Sequence, residues 1–210
     1  MNIKTLLIYT LLLGIFLSAC AALPVSTADV ALVPSSTESG LGADDAVGYP
    51  LSTRTGIADV NVVLAVVESG EIRQLRELLH FINVGCTHAE GLGGPPKCRD
   101  GEAEGMTVSV FPFLGSEGGH LNLENLDAWT GIDVTRLYAV YKNSENVYSD
   151  VNFPAGEFAI LFLSEDDFPA TILQIAEGKI VRIDTVFDTS AVGLAAALNR
   201  DASEFILPPK

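Results

Sequence analysis

Residues 170–187 read ATILQIAEGKIVRIDTVF, two strand-like runs separated by a short polar turn. The runs 170–176 and 180–187 are rich in aliphatic and β-branched residues, which favour strands. The intervening Glu177-Gly178-Lys179 has the composition of a tight turn. The stretch therefore predicts an antiparallel β-hairpin near the end of the chain.

Outside this hairpin, further strand-like runs occur at residues 81–84, 107–111, 137–141 and 158–163, and helical patterns occur at 123–131 and 190–198. Upstream, Ile57, Val60, Val63, Leu64 and Val67 recur at helical spacing, and Gly70 follows as a helix terminator. A second amphipathic helix is predicted from residue 71. Helices followed by an antiparallel meander predict one α+β domain at 56–210.

Two segments of this domain resemble the nuclear transport factor 2-like superfamily, in its polyketide-cyclase-like branch. Residues 63–75 (VLAVVESGEIRQL) look like its opening helix pair, and residues 175–183 (IAEGKIVRI) look like its closing hairpin. The resemblance implies a curved antiparallel sheet wrapped around the N-terminal helices into a cone, often with an apolar pocket. The loop between Cys86 and Cys98 departs from the common pattern.

The first twenty residues have the layout of an export signal. A weakly positive start is followed by an apolar run at 5–16 and by Leu-Ser-Ala-Cys at 17–20. This resembles the bacterial lipoprotein signal, which implies a signal peptide at 1–19 and acylation of Cys20 with palmitate-like chains. An ordinary signal peptide and a membrane span are the alternatives, although the run is shorter than the ~20 residues of a transmembrane helix.

Residues 20–55 are rich in Ala, Ser, Thr, Pro and Gly, which predicts a flexible linker. Part of it could instead pack on the domain as an extended arm. The acylated Cys20 would place the protein on the extracytoplasmic side of the cell membrane or outer membrane. Its expected partners are the lipid bilayer and either a small apolar ligand or an envelope protein.

The chain is strongly acidic, with 27 Asp and Glu against 12 Lys and Arg and a formal net charge of -15. Nucleic-acid binding depends on basic clusters, so this composition argues against a nucleic-acid partner. No phosphate-binding loop or dinucleotide fingerprint is present. No cofactor is predicted.

Once Cys20 is assigned to lipid, Cys86 and Cys98 remain as a pair. In an oxidising compartment such a pair predicts a disulfide that closes a glycine- and proline-rich loop. A zinc site of His80, Cys86, His88 and Cys98 is an alternative, since zinc accepts mixed Cys and His ligands. Free thiols are the third possibility.

Enzymes of the resembling superfamily use a carboxylate with a tyrosine or second acid, which makes Asp184 with Tyr138 or Tyr141 the candidate catalytic set. The pattern favours instead an ion pair of Asp184 with Arg182 on the solvent face of the last strand. The first helix also lacks the tyrosine that isomerases of this group carry there.

Trp129, Tyr138 and Tyr141 are candidate ligand-binding residues or core residues, and His120 is expected to be exposed. We therefore predict a lipid-anchored, non-catalytic protein that binds a small ligand or a protein partner. A cyclase-, isomerase- or dehydratase-like enzyme is the alternative.

Overall fold

The computed structural model describes residues 47–165 and 169–210. The predicted signal peptide, Cys20 and the predicted linker up to residue 46 lie outside these described residues. Everything described belongs to one structural unit, 42–210. Within the described ranges, no helix has both the length and the hydropathy that crossing a membrane requires.

Helix α1 (Ala58–Ser69) turns its aliphatic stripe inward. Its buried residues are Val60, Val63, Leu64 and Val67. Gly70 ends the helix in the left-handed conformation, with φ of 66°, and its amide donates to the carbonyl of Val67, as glycine commonly does at this position. Helix α2 (Ile72–Leu78) follows and buries Leu75 and Leu78.

Eight strands form the sheet. They are β1 (Ile82–Gly85), β2 (Thr107–Leu114), β3 (Gly119–Asn122), β4 (Arg136–Lys142), β5 (Phe158–Leu163), β6 (Ala170–Ala176), β7 (Lys179–Val186) and β8 (Phe205–Leu207). The segment predicted as a helix at 123–131 is a 3-10 helix, Leu123–Ala128. Helix α3 (Ala191–Ala197) lies near the end of the chain.

The strands lie in the order β1-β2-β7-β6-β5-β4-β8, and β3 pairs with β2. All neighbours are antiparallel except β2 and β7, which run parallel over two residue pairs. The predicted α+β class is therefore confirmed, with an open and mostly antiparallel sheet. The predicted hairpin is present as β6 and β7, joined at Glu177 and Gly178, which both have positive φ.

Alternate residues of the central strands contribute to two apolar clusters, one on each face of the sheet. The first combines residues of α1 and α2 with sheet residues such as Ile160, Phe162, Leu173 and Ile175. The second combines Ala139, Ala159, Leu161 and Ile172 with Leu194 of α3 and with Leu198. Both faces of the central sheet are therefore covered.

A β-bulge interrupts the hairpin. Gln174 pairs with Arg182 and Ile175 pairs with Ile180, so Val181 is the extra residue on β7. Ile180 and Ile183 consequently both belong to the first cluster, whereas Arg182 lies on the opposite face beside Gln174.

The sheet edge at β4 receives both β8 and a residue from the predicted linker. Tyr49 bridges to Leu137 through two backbone hydrogen bonds of 2.6 and 3.0 Å, and its hydroxyl donates to the carbonyl of Pro208 at 2.9 Å. Leu51 packs against the first cluster. Residues 49–51, which fall inside the predicted linker 20–55, thus lie on the domain as an extended arm.

Candidate functional site

The most extensive buried polar contacts of the described residues centre on Arg182. Its side chain is 1 % exposed. Nε donates to Oδ1 of Asp184 at 2.5 Å and Nη2 donates to Oδ2 at 3.0 Å. Nη1 donates to the carbonyls of Tyr148 and Phe153 at 2.9 and 2.8 Å. The guanidinium therefore joins β7 to the loop that precedes β5.

Two amides extend this network. Gln174 Nε2 donates to Oδ2 of Asp184 at 2.8 Å, and Asn143 Nδ2 donates to Gln174 Oε1 at 2.6 Å. Asn143 also donates to the carbonyl of Gly156 at 2.9 Å. Asp184 thus accepts three hydrogen bonds, all from buried side chains. Such an arrangement stabilises a charged pair that would otherwise be costly to bury.

The predicted pairing of Arg182 with Asp184 is present, but the predicted solvent face is wrong. The Asp184 side chain is 14 % exposed, and the 143–157 loop covers the pair. The bulge at Val181 also separates Arg182 from Ile180, although simple alternation predicts one shared face.

Tyr141 lies on the same sheet face as Asp184, fully buried, with the guanidinium of Arg200 3.7 Å from its ring centroid. Burial raises the pKa of Tyr141 to about 12, Asp184 adds to the rise and the guanidinium groups of Arg200 and Arg182 oppose it. The phenol is therefore protonated at neutral pH. Tyr138 is half-buried against the same cluster.

Trp129 lies against the first cluster, with its ring centroid 6.4 Å from that of Phe113. It is therefore on the opposite face from Tyr138 and Tyr141, which belong with the second cluster. The three predicted ligand-binding aromatics do not meet in one site.

Cys86 and Cys98 form a disulfide with a sequence separation of 12. Closing a loop of this size stabilises the fold by about 3 kcal/mol in the chain-entropy model. The loop it closes includes Gly91, Gly93 and Gly94, all with positive φ, so its residues supply little apolar packing of their own.

Glu104 joins this loop, a contact that the sequence did not predict. Its Oε2 accepts a hydrogen bond from the backbone amide of His88 at 2.5 Å, and this bond lowers the pKa of the Glu104 carboxyl. His88, Cys98 and Glu104 place their potential ligand atoms within 4.8 Å of one another. His80, a member of the predicted zinc alternative, is not in this group, and its amide donates to the carbonyl of Ile180 instead.

Arg99 pairs with two carboxylates at the edge of the same loop, Glu102 and Glu124. Hydrogen bonds from the Arg99 side chain and amide lower the pKa of the Glu102 carboxyl. One cation therefore partly neutralises two acidic side chains.

Three surface recesses accompany these elements. One, of about 300 Å³, is lined by Arg99, Val108, Ser109, Asn122, Leu123 and Glu124. A second, of about 220 Å³, lies between the glycine loop at 91–97 and residues 118–122 and includes His120. The third, of about 130 Å³, lies between α1, α2 and residues 130–134. None of the three is lined by Tyr138, Tyr141, Trp129 or Asp184.

His120, predicted to be exposed, is half-buried. Its ring stacks on Phe153 with centroids 4.8 Å apart, and Nε2 lies 3.2 Å from the carbonyl of Asn152. Burial lowers the pKa of His120 below its usual 6.5, although the Asn152 carbonyl and the Asp150 carboxylate oppose this shift. The glycines around His120 in the sequence predict an exposed side chain. The sequence does not show that Phe153 packs on the His120 ring.

We expect His120 to make stability depend on pH. Because its folded pKa is lowered, the unfolded chain binds the proton more readily, and stability falls as pH drops below about 6.5. A His120→Phe variant keeps an aromatic ring on Phe153 and should lose less stability than the parent between pH 7.5 and 5. Urea unfolding at both pH values and NMR titration of the ring measure this. Titration of His120 at or above 6.5 would contradict it.

Apolar side chains are exposed on the loops around this histidine. Leu92, Val151 and Phe187 are all exposed. The loops that carry them meet at Gly118, which packs on Phe153, and at Gly115, which lies against the Phe187 ring. We call residues 91–97, 115–119 and 148–153 the loop end.

Neither a family model, nor a curated protein, nor a solved structure matches this chain.

Proposed function

We propose that this chain is a lipid-anchored extracytoplasmic protein whose folded domain binds a partner protein and carries out no catalysis. The anchor is proposed from the small-residue cleavage pattern before Cys20. The absence of catalysis is proposed because Asp184, the carboxylate of the candidate set, already accepts bonds from Arg182 and Gln174. A general base needs a free lone pair facing the substrate, and Asp184 lines none of the three recesses.

Exposed apolar side chains on adjacent loops are the observation that carries the binding proposal. Leu92 and Val151 are 72 % and 74 % exposed. Contiguous exposed apolar surface with a polar rim is typical of interaction sites. The neighbouring Glu90 and Glu117 are also exposed, so the partner expected here presents apolar residues flanked by basic ones.

The recesses favour a protein partner over a small apolar ligand. Ligand pockets usually enclose ~300–1,000 Å³. The recess at the loop end is about 220 Å³, and the recess of about 300 Å³ is lined by the mutually paired Arg99 and Glu124.

The cone-like packing of the nuclear transport factor 2-like superfamily belongs to the same proposal. It is supported by the order of the elements and by the shared cluster of α1, α2 and the sheet. Helix α3, which packs on the second apolar cluster, is then an addition to the cone-like fold.

Site-specific photo-crosslinking in the host's own membranes tests the function. A photo-crosslinking amino acid at Leu92 or Val151 should capture one discrete protein, whereas the same group at Val62 on α1, also exposed, should capture none. The control for the anchor is the intact mass of the protein from those membranes, which should include acyl chains that a Cys20→Ser chain lacks.

Equal capture at Val62 and Leu92, or no capture at any position, would refute the loop end as the binding surface. A parent chain whose mass includes no acyl chains would refute the lipid anchor separately.

A further inference from the structure

Three groups that ligate transition metals meet beside the disulfide. The ligand atoms of His88, Cys98 and Glu104 lie within 4.8 Å of one another, and Cys86 Sγ is bonded to Cys98 Sγ. Zinc bound by sulfur at ~2.3 Å and by nitrogen or oxygen at ~2.0–2.2 Å sets tetrahedral ligand separations of about 3.3–3.8 Å. Small movements would bring His88, Cys98 and Glu104 to such separations, and Cys86 Sγ, now bonded to Cys98 Sγ, would join them by rotating once the S–S bond is open.

The backbone around these residues is held together independently of the disulfide. Four hydrogen bonds of 2.8 to 3.0 Å join the three segments that carry the ligands. They run from Cys86 N to Met106 O, from Gly105 N to Cys86 O, from Thr87 N to Pro96 O and from Cys98 N to Thr87 O. Reduction of the disulfide therefore leaves the ligands on segments that remain paired.

One hydrogen bond indicates which ring nitrogen of His88 a metal would bind. Nε2 of His88 lies 2.8 Å from the carbonyl of Glu102, and because a carbonyl only accepts, Nε2 carries the proton. The lone pair of the neutral ring is then on Nδ1. Metal-binding histidines commonly donate their other N–H to a carbonyl in this way, which fixes the tautomer.

Glu104 supplies the fourth potential ligand. One oxygen of Glu104 accepts the amide of His88. A metal would bind the other oxygen in competition with the Thr87 hydroxyl, which also hydrogen-bonds this carboxylate. Carboxylate oxygen completes a set of two sulfurs, one nitrogen and one oxygen, all of which are ligand types that zinc accepts.

We propose that Cys86, His88, Cys98 and Glu104 bind one Zn²⁺ when the disulfide is reduced, so that the loop is closed by a disulfide in one state and by zinc in the other. A dithiol reductant transfers two electrons and two protons to the S–S bond and becomes a disulfide itself. Zn²⁺ then displaces one proton from each thiol as the two Zn–S bonds form. The loop that these residues close carries residues 91–97 of the loop end, but zinc binding itself needs no partner protein.

Zinc titration of the reduced and oxidised chain tests the site. The full-length chain with Cys20→Ser, purified in detergent, carries Cys86 and Cys98 as its two thiols. It is reduced with a phosphine, desalted without oxygen and titrated with Zn²⁺ against a chromophoric chelator. We expect 1:1 binding that is at least roughly 100-fold tighter than in the oxidised chain. Co²⁺ in place of Zn²⁺ should give a thiolate-to-cobalt charge-transfer band.

Matched variants assign the ligands. His88→Ala and Glu104→Gln should each weaken zinc binding by roughly 10–100-fold, and both residues are exposed, so the fold should tolerate them. Glu104→Gln keeps an oxygen that can accept the His88 amide. His80→Ala is the control and should bind zinc as the parent does.

Equal affinity in the oxidised chain would overturn the proposal, because the thiolates would then not be ligands. So would a reduced chain that binds no zinc, or one in which His80→Ala weakens binding as much as His88→Ala.

Discussion

Replacing Arg182 by methionine lowers the free energy of unfolding by about 3–5 kcal/mol, because the change leaves the buried Asp184 carboxylate without its cation. The same change removes the donor that holds the carbonyls of Tyr148 and Phe153. Methionine fills the volume of the aliphatic stem of Arg182 but not that of its guanidinium, so the loss combines the polar contacts with the cavity left there.

Urea unfolding measures this effect as a shift of the midpoint at constant slope. Arg73→Met is the matched control, because Arg73 is an exposed residue of α2, and surface changes usually stay within about 0.5 kcal/mol. An Arg182→Met chain as stable as the Arg73→Met chain would mean that the buried pair contributes no net stability.

A double variant separates the cost of the unpaired Asp184 charge from the cost of the lost hydrogen bonds. With Asp184→Leu added to Arg182→Met, no unpaired charge remains, and replacing both members of a buried pair by apolar residues is often close to neutral. Stability should therefore return in part. The remaining loss measures the two loop carbonyls together with the Gln174 amide, because neither substitution restores their partners.

Replacing Gly156 by alanine destabilises the domain by about 3 kcal/mol or more, the upper end of what overpacking costs. A Cβ at Gly156 would lie 2.6 Å from the carbonyl carbon of Ile175 and closer still to its amide nitrogen and carbonyl oxygen. Backbone atoms of β6 cannot turn away as a flexible side chain does. Either β6 or the 143–157 loop must move, which also disturbs the Asn143 bond to the Gly156 carbonyl.

Gly56→Ala provides the comparison, since a Cβ at Gly56 meets no atom within 4 Å. In thermal or urea unfolding, the free energies of unfolding of the Gly56→Ala and Gly156→Ala variants should differ by most of the loss expected for Gly156→Ala. Similar midpoints for both variants would contradict the close approach of Gly156 to β6.

The hairpin and the first helix were predictable because local patterns specify them. Gly178 and its neighbours have turn chemistry, and α1 carries a full aliphatic stripe that ends at Gly70. The two strands of the hairpin, however, are apolar at consecutive positions because both sheet faces are covered. Their sequence therefore does not mark the bulge at Val181, and the faces of Arg182 and Asp184 could not be assigned.

Contacts between distant segments explain the other differences. β8 has three residues and Tyr49 forms a single bridge, too little sequence for a periodic signal. The disulfide pair followed from counting cysteines, but the approach of Glu104 to His88 depends on how the 86–106 segment folds back. The sequence favours His80 as a ligand because it is a histidine close to Cys86 in the chain. The sequence does not show which residues meet in space.

The contact of Tyr49 with Pro208 at the sheet edge indicates how this domain could be circularly permuted. The chain enters and leaves the domain at one sheet edge, with the Tyr49 hydroxyl bonded to the Pro208 carbonyl. A short linker could join these points, and new ends could be opened in the 91–97 loop, since circular permutation succeeds when the original ends are close and the new ones lie in exposed loops. The free ends would then lie in the disulfide loop, beside Gly118 and Phe153.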